Sequence, residues 1–316
     1  MKINPVLKKE LTIGSRSIKM PLAIFFYDAV LALCSFVVLI SVRVEALNIG
    51  NLNLKSLGYV FPILMCVQAV ILYIMIPIIT ASSISGERER QTLDIMLTTP
   101  VKPRQIIIGK LATAIMQVFL FVFSSLPMIS LAFLFGGISW VNLIYMLGIF
   151  LVISIFAGSI GIFCSSVFKK TLPAVIVTMV IELAFVFGTL LIYGIAQTIY
   201  EYYVYNNDLN QQTLTLVFPW FLVANPAALV AEFLIRVFNG EGMFYSLFSE
   251  FGSSFASLTG TEEFLISALK YWMIPNILVL LGVSMIFIKL AANKINPIKK
   301  GRNKGYQQTA KVQGEK

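Results

Sequence analysis

The stretch SSISGERERQTLDIMLTTPVKPRQIIIGK, Ser82–Lys110, lies between two long apolar segments and decides how the chain is organised. It carries five basic and three acidic residues, in a chain of 316 residues of which 12% are charged. Each flanking segment reaches the roughly 20 apolar residues that a helix needs to cross a bilayer. The stretch is therefore predicted to be a loop held between two membrane-spanning helices.

The composition places the whole chain in a membrane. Its residues are 58% hydrophobic, whereas soluble domains rarely exceed about half. The apolar runs are long and continuous, which excludes the short alternating segments of a transmembrane barrel. We predict an all-α integral membrane protein with six spans, at Pro21–Val42, Tyr59–Ser82, Ile106–Phe135, Trp140–Phe168, Leu172–Ala196 and Tyr271–Ala292. Prolines inside these spans predict kinks.

The basic residues predict the orientation. In a six-span chain, 20 of the 24 Lys and Arg residues fall on one side: the N-terminal arm, the Ser82–Lys110 stretch, the turn after span four and the tail. The positive-inside rule then places both termini in the cytoplasm. The net charge of +9 is explained by this topology and by anionic lipid headgroups, so no nucleic-acid partner is predicted.

The residue inventory excludes several chemistries. The chain has no histidine, and its three cysteines lie within predicted spans. A catalytic histidine and the usual Cys/His zinc sites are therefore excluded. A cleavable signal peptide is not predicted, because about 20 residues precede a first apolar run that is too long for one.

The segments outside the spans have distinct characters. Residues 1–20 combine an apolar stripe with basic residues and predict an amphipathic elbow helix in the interface, the alternative being a disordered basic leader. Residues 197–270 contain Pro219, Pro226, Glu232 and Arg236, which argue against a seventh span. We expect short re-entrant helices in the outer leaflet there, and a basic cytoplasmic tail over 295–316.

Within the loop over 83–104, the pattern predicts a short helix over 86–98. Ser85 is a candidate N-cap, and Glu87 and Glu89 fall where the positive end of a helix favours acids. Pro100 ends it, because the residue before a proline leaves helical geometry. An apolar face recurs at helical spacing over Leu93, Met96 and Leu97. Such a helix suits a cytoplasmic protein groove; the alternative is a helix lying on the bilayer.

This stretch resembles the signature of the ABC-2 type transporter permeases. The matching elements are Glu87-Arg88-Glu89, Thr92-Leu93, Leu97, Thr99-Pro100 and Gly109-Lys110. Gln91 stands where family members often carry glycine. The layout of elbow helix, six spans and outer helices is also similar, as is the Asn-Pro element in ANPAAL, Ala224–Leu229.

The resemblance implies a permease subunit that pairs with a second one and couples to a separate cytoplasmic ABC ATPase. No G-x-x-x-x-G-K-[ST] motif occurs in this chain, so ATP and Mg²⁺ are expected on that partner and no cofactor on this subunit. The implied activity is export of a lipid-like, peptide, drug or ion substrate across a bacterial plasma membrane. The implied coupling residues are Glu87, Arg88, Glu89, Arg90, Thr92, Leu93, Met96 and Leu97.

Polar residues inside the spans are candidates for the transport path: Glu182, Asp28, Gln68 and Gln117. A central carboxylate costs roughly 2.5–3.5 kcal/mol on insertion scales, so Glu182 should face protein or water. For the two glutamines, hydrogen bonds between helices are the favoured interpretation.

In span four, Ala157, Gly161 and Ser165 recur every four residues, a pattern typical of close packing between helices. Two other functions stay open. An ion channel or secondary transporter predicts repeats with broken helices at matching positions, and no such symmetry is seen. A membrane-embedded enzyme needs clustered polar catalysts, whereas the carboxylates in the spans are Asp28 and Glu182.

Overall fold

The computed structural model describes residues 18–49, 60–92, 103–134, 139–207, 218–240, 242–243 and 271–295. Every regular element within these ranges is a helix, which confirms the predicted fold class. In chain order they are α1 (Lys19–Ile49), α2 (Val60–Glu89), α3 (Pro103–Ser124), α4 (Leu126–Leu134), α5 (Trp140–Val167), α6 (Thr171–Leu183), a π-helical turn (Ala184–Gly188), α7 (Thr189–Asn207), a 3-10 helix (Phe218–Ala224), α8 (Pro226–Asn239) and α9 (Met273–Ile295).

Six helical segments within the described residues are long and apolar enough to cross a membrane, which confirms the six predicted spans. They are α1, α2, α3, α5, the continuous run from α6 into α7, and α9. Large apolar side chains on these helices face outward, among them Phe25, Leu33, Ile144 and Leu191. Outward apolar surface of this extent fits a helical bundle surrounded by lipid.

The centre of the bundle is α5. In its most apolar window 72% of the residues are buried, against 11–56% for the other spans. The small-residue stripe makes this possible, since Ala157, Gly161 and Ser165 are all buried. A β-carbon added at Gly161 would lie 2.8 Å from Thr80 Cβ on α2. The prediction of close packing along this stripe is confirmed.

Two spans are interrupted. The third predicted span is divided at Ser125 into α3 and α4, and Pro127 follows as the second residue of α4. The fifth contains the π-helical turn and continues to Asn207, well beyond its predicted end at Ala196. Pro77, by contrast, lies inside an uninterrupted α2.

The predicted start of a separate helix at Ser85 is wrong. Helix α2 runs unbroken through Ser85 and ends at Glu89, and the Ser85 hydroxyl donates to the Ala81 carbonyl 2.7 Å away within the same helix. Ser85 is fully buried against α5, where its amide and hydroxyl find partners. A residue so satisfied inside a helix has no role as an N-cap.

Several predictions concern residues outside the described ranges. They are the elbow helix up to residue 17, the apolar face at Leu93, Met96 and Leu97, the loop over 244–270 and the tail over 296–316. Residues 19 and 20, assigned to the elbow, already belong to α1.

The segment after α7 forms short helices within its described part, as predicted. Helix α8 has 14 residues, too few to cross a bilayer. Asn225 caps it through its side-chain oxygen, Pro226 occupies the first turn, and Gly240 ends it at a φ of 76°.

Candidate functional site

Helix α2 ends in a Schellman motif. The Thr92 amide donates to the Glu87 carbonyl at 2.9 Å, and the Gln91 amide donates to the Arg88 carbonyl at 3.1 Å. Gln91 adopts a φ of 57°, in the left-handed region that usually holds glycine. This explains physically why glycine suits the position that Gln91 occupies. The turn also fixes the direction in which the chain leaves α2 toward residue 93.

Glu87 joins α2 to α3. The Lys110 ammonium group lies 2.9 Å from Glu87 Oε1 and donates to the Ser83 carbonyl at 2.9 Å. The Lys110 side chain is 3% exposed and that of Glu87 is 19% exposed, so this ion pair is mostly buried and is screened by salt less than a surface pair. Removing one partner of such a pair is costly, because the other is left charged and buried.

Arg88 joins α2 to the end of α5. Its guanidinium donates to the Phe168 carbonyl at 2.9 Å and to the Ser166 carbonyl at 3.2 Å. These carbonyls belong to the last turn of α5, where the helix has no backbone donors left to satisfy them. A cation at this negative helix end is stabilising.

Glu89 joins α2 to the start of α6. Its carboxylate accepts from the Thr171 amide at 2.9 Å and from the Thr171 hydroxyl at 2.7 Å. The N-cap residue of α6, Lys170, makes no capping hydrogen bond with its own side chain. The carboxylate of Glu89 therefore caps α6 from a different helix, at the end where the helix dipole favours an anion.

We call the five residues Glu87, Arg88, Glu89, Lys110 and Thr171 the helix-end junction. Three adjacent residues of α2 each hold a different helix, so one turn of α2 ties α3, α5 and α6 together. Beneath it, the Ser165 hydroxyl accepts from the Ile84 and Ser85 amides at 2.9 and 2.8 Å. A small apolar cluster that includes residues of α9 completes the layer: Ile84, Ile107, Leu111, Ile162, Ala291 and Ile295.

Two of the polar residues predicted inside the spans come together at the break between α3 and α4. Asp28 Oδ1 accepts from the Ser124 hydroxyl at 3.1 Å, and Gln68 Nε2 donates to the Ser125 hydroxyl at 3.0 Å. Gln68 is fully buried. The hydrogen bond between helices that we favoured for Gln68 is thus present. Gln117 lies apart from this cluster, on the wall of a cavity beside the junction.

Glu182 lies at another place in the bundle and is 1% exposed. The Tyr73 hydroxyl donates to its backbone carbonyl at 3.0 Å, while its side-chain Oε1 has no hydrogen-bond partner in the described residues. The π-helical turn begins two residues later, at Ala184. Such turns are frequent at functional sites.

The Asn-Pro element fastens the same span. The Asn225 side chain caps α8 with its oxygen and donates from Nδ2 to the Val186 carbonyl in the π-helical turn at 3.1 Å. Asn276 on α9 donates to the Asn225 carbonyl at 3.3 Å. One asparagine thereby connects α8 with α9 and with the irregular turn of the fifth span.

Sequence reasoning identified Glu87, Arg88, Glu89 and Thr92 but not their partners. The resemblance implied that Glu87 and Arg88 couple to an ATPase, and in the structure both are bound within the chain, to Lys110 and to the end of α5. Arg90 is exposed, and Leu93, Met96 and Leu97 lie outside the described residues. Lys110 could have been found from the sequence, since consecutive spans run antiparallel and Glu87 and Lys110 lie near the loop ends of two consecutive spans. Thr171 and the α5 carbonyls depend on tertiary packing that no local pattern records.

The chain is similar to one known family of transporter proteins. The family model described as ABC-2 family transporter protein matches residues 10–292 of the chain. No curated protein matches the sequence. The matched range includes the helix-end junction, all six spans and the Asn-Pro element.

Proposed function

Because this chain belongs to the ABC-2 family of transporter proteins, we propose that it is the permease subunit of an ATP-driven exporter, coupled through the loop after α2 to a separate ATPase. Two copies, or this chain and a related permease, form the transmembrane part. ATP and Mg²⁺ bind the ATPase, and this subunit needs no cofactor. Both termini and the helix-end junction face the cytoplasm of a bacterial cell, as the distribution of basic residues predicts.

The observation that carries the proposal is the helix-end junction. A load applied to the segment after Thr92 meets a turn fixed by a Schellman motif and reaches α3, α5 and α6 through Lys110, Phe168 and Thr171. A partner that moves on ATP binding therefore shifts four helices together through contact with one loop. An ion channel or secondary transporter works without an ATPase and does not require a rigidly attached loop that a partner can move.

The substrate is proposed more broadly, as an amphipathic lipid, peptide or drug or an ion. We propose Glu182 for the transport path. In support, its carboxyl Oε1 is buried without a partner in the described residues, in the span that carries the π-helical turn. Asp28, Gln68 and Gln117 are secondary candidates. The first two are engaged at the α3–α4 break, where a change in packing would release them.

The coupling loop is tested by substitutions on its apolar face. Purification of the tagged wild-type protein from its own cells should recover an ATP-hydrolysing chain. Leu93→Asp and Leu97→Asp should release that chain, because a truncated or charged anchor at a protein contact costs about 2 kcal/mol or more. Val101→Asp places the same charge in the same loop beyond Pro100 and should leave recovery unchanged.

Recovery of the ATPase in equal amounts from wild type, Leu93→Asp and Leu97→Asp would overturn the docking assignment. Absence of any ATPase from the wild-type preparation would overturn the ATP-driven mechanism itself. Equal membrane insertion of all four proteins, measured by their yield in the membrane fraction, separates lost docking from lost folding.

A further inference from the structure

A cavity of about 850 Å³ lies beside the helix-end junction, between α1, α2 and α3. One end is lined by charged residues of the junction and its surroundings: Lys19, Glu87, Glu89, Arg90 and Lys110. The other end is lined by apolar residues, including Ala23, Met75, Ile79 and Phe121. The cavity is therefore amphipathic along its length, in contrast to the uniformly apolar outer faces of the spans.

The depth of this cavity matches one leaflet of a bilayer. Met75 precedes Glu87 on α2 by more than three helical turns, which is about 18 Å at 1.5 Å per residue. One leaflet contributes about 15 Å of hydrocarbon, half of the roughly 30 Å core. An occupant with a charged head and an apolar body of one leaflet's length fits these dimensions, whereas a small ion or nucleotide leaves the apolar end empty.

The charged residues at the junction end of the cavity favour an occupant with an anionic head. Glu87 Oε1 is held by Lys110 and both oxygens of Glu89 accept from Thr171, while Glu87 Oε2 is buried without a hydrogen-bond partner in the described residues. The Arg90 amide donates to the Gly86 carbonyl within α2, while its exposed guanidinium has no hydrogen bond or ion pair within the described part of the chain. With Lys19 at the same rim, three cations face two carboxylates. Arginine is well suited to phosphate, which it binds with two parallel donors.

We propose that the cavity holds one anionic phospholipid from the leaflet at the junction end. Its phosphate contacts Arg90 at the rim beside Lys19, and its acyl chains lie along Ala23, Met75 and Phe121. The lipid then fills the space directly beside the Glu87–Lys110 ion pair and keeps water from it. This site is independent of the ATPase coupling proposed above, and it stands or fails separately.

The test is lipid binding by native mass spectrometry of the purified full chain in detergent, titrated with phosphatidylglycerol or phosphatidylcholine. Wild type should retain phosphatidylglycerol at least about tenfold more strongly than phosphatidylcholine, because basic residues near the surface select anionic headgroups. Arg90→Glu should abolish that preference. Arg104→Glu is the matched control, since Arg104 is exposed on α3 and lies outside the cavity lining.

A second pair of variants tests the apolar end. Ala23→Trp fills the cavity and should lower phosphatidylglycerol binding about tenfold, while Ala29→Trp, on the exposed face of the same helix, should not. If Ala23→Trp does not fold, the Arg90 and Arg104 pair decides alone. Equal binding of the two lipids by wild type, equal effects of Arg90→Glu and Arg104→Glu, or full displacement by glycerol 3-phosphate without acyl chains would each overturn the proposal.

Discussion

At the scale of single residues, Gln91 stands where family members often carry glycine, and its positive φ explains why glycine suits the position. A residue with a β-carbon in the left-handed region costs about 1–2 kcal/mol, and Gln91 bears this cost at a φ of 57°. Gln91→Gly should stabilise the end of α2 by up to about 1 kcal/mol. This is the backbone cost removed, less the extra conformational entropy that glycine loses on folding. Amide hydrogen exchange over Arg88–Thr92 measures this directly.

The matched variant at the same position is Gln91→Val, whose β-branched side chain tolerates a positive φ least. It should speed exchange at the Gln91 and Thr92 amides, which donate to Arg88 and Glu87. Slower or unchanged exchange in Gln91→Val, together with no gain in Gln91→Gly, would show that the turn is not limited by backbone conformation.

Glu182 poses a different question at the same scale, since a buried carboxyl oxygen without a partner is a cost that a purely structural residue avoids. Glu182→Gln keeps the shape of the side chain and removes its capacity to carry charge. We expect normal yield and ATPase recovery, with transport lowered about tenfold or more. Transport of a reconstituted substrate in proteoliposomes is the measurement. Full activity would leave Glu182 a packing role.

Residue types alone predicted which positions mattered and missed what they contact. The acidic and basic residues of Glu87-Arg88-Glu89 suggested an external partner, because a local pattern contains no record of the last turn of α5 or the first turn of α6. Those helix ends are about 80 residues away in sequence, yet they supply the acceptors and donors that α2 satisfies. The four residues of the transport-path hypothesis divide likewise between a cluster, a cavity wall and an isolated buried carboxyl.

At the scale of elements, the contact between α2 and α5 depends on the absence of one methyl group. A β-carbon at Gly161 would lie 2.8 Å from Thr80 Cβ and 3.3 Å from the Ala81 amide nitrogen, and it would also clash with Thr80 Oγ1. Rotation of the Thr80 side chain can move its hydroxyl but not its Cβ or the Ala81 amide nitrogen. Gly161→Ala should therefore destabilise the bundle by about 1–3 kcal/mol.

Gly148→Ala is the control for this substitution, in the same helix. A β-carbon there meets no atom within 4 Å, so the change should be neutral or slightly stabilising through helix propensity. The fraction of protein remaining monodisperse after heating in detergent compares the two variants. Equal thermal stability of Gly161→Ala and Gly148→Ala would mean that α2 and α5 are less closely packed than described.

Elements were predictable in number and approximate extent, because about 20 apolar residues leave few alternatives to a spanning helix. The irregular turns and the exact ends of these helices were less predictable. Nothing in the sequence around Ala184–Gly188 distinguishes a π-helical turn from a continuous helix, since the turn is held by Asn225 from a distant segment. The end of α2 was misplaced for a related reason. Ser85 has the residue type of an N-cap, but burial against Ser165 makes it an interior residue.

At the scale of the whole molecule, several helix ends meet on one side of the bundle. The ends of α2 and α5 and the starts of α1, α3 and α6 meet at the helix-end junction and its cavity. Spans with exposed apolar side chains surround the buried α5. From the positive-inside rule we propose a single orientation, with the junction in the cytoplasm.

This orientation is tested by single cysteines in a background where Cys34, Cys66 and Cys164 are replaced by alanine. Cysteines at Arg90 and Asn303 should react with a membrane-impermeant maleimide only after vesicles formed right side out are opened. Arg90 is chosen because it is exposed at the end of α2, whereas Ser85 in the same region is buried. A cysteine at Asn207, the last residue of α7, should react in intact vesicles. Six crossings place Asn207 and Asn303 on opposite sides. If both react on the same side, the segment from Phe218 to Asn239 crosses the membrane, despite the 14-residue length of α8, and the side assigned to the tail reverses.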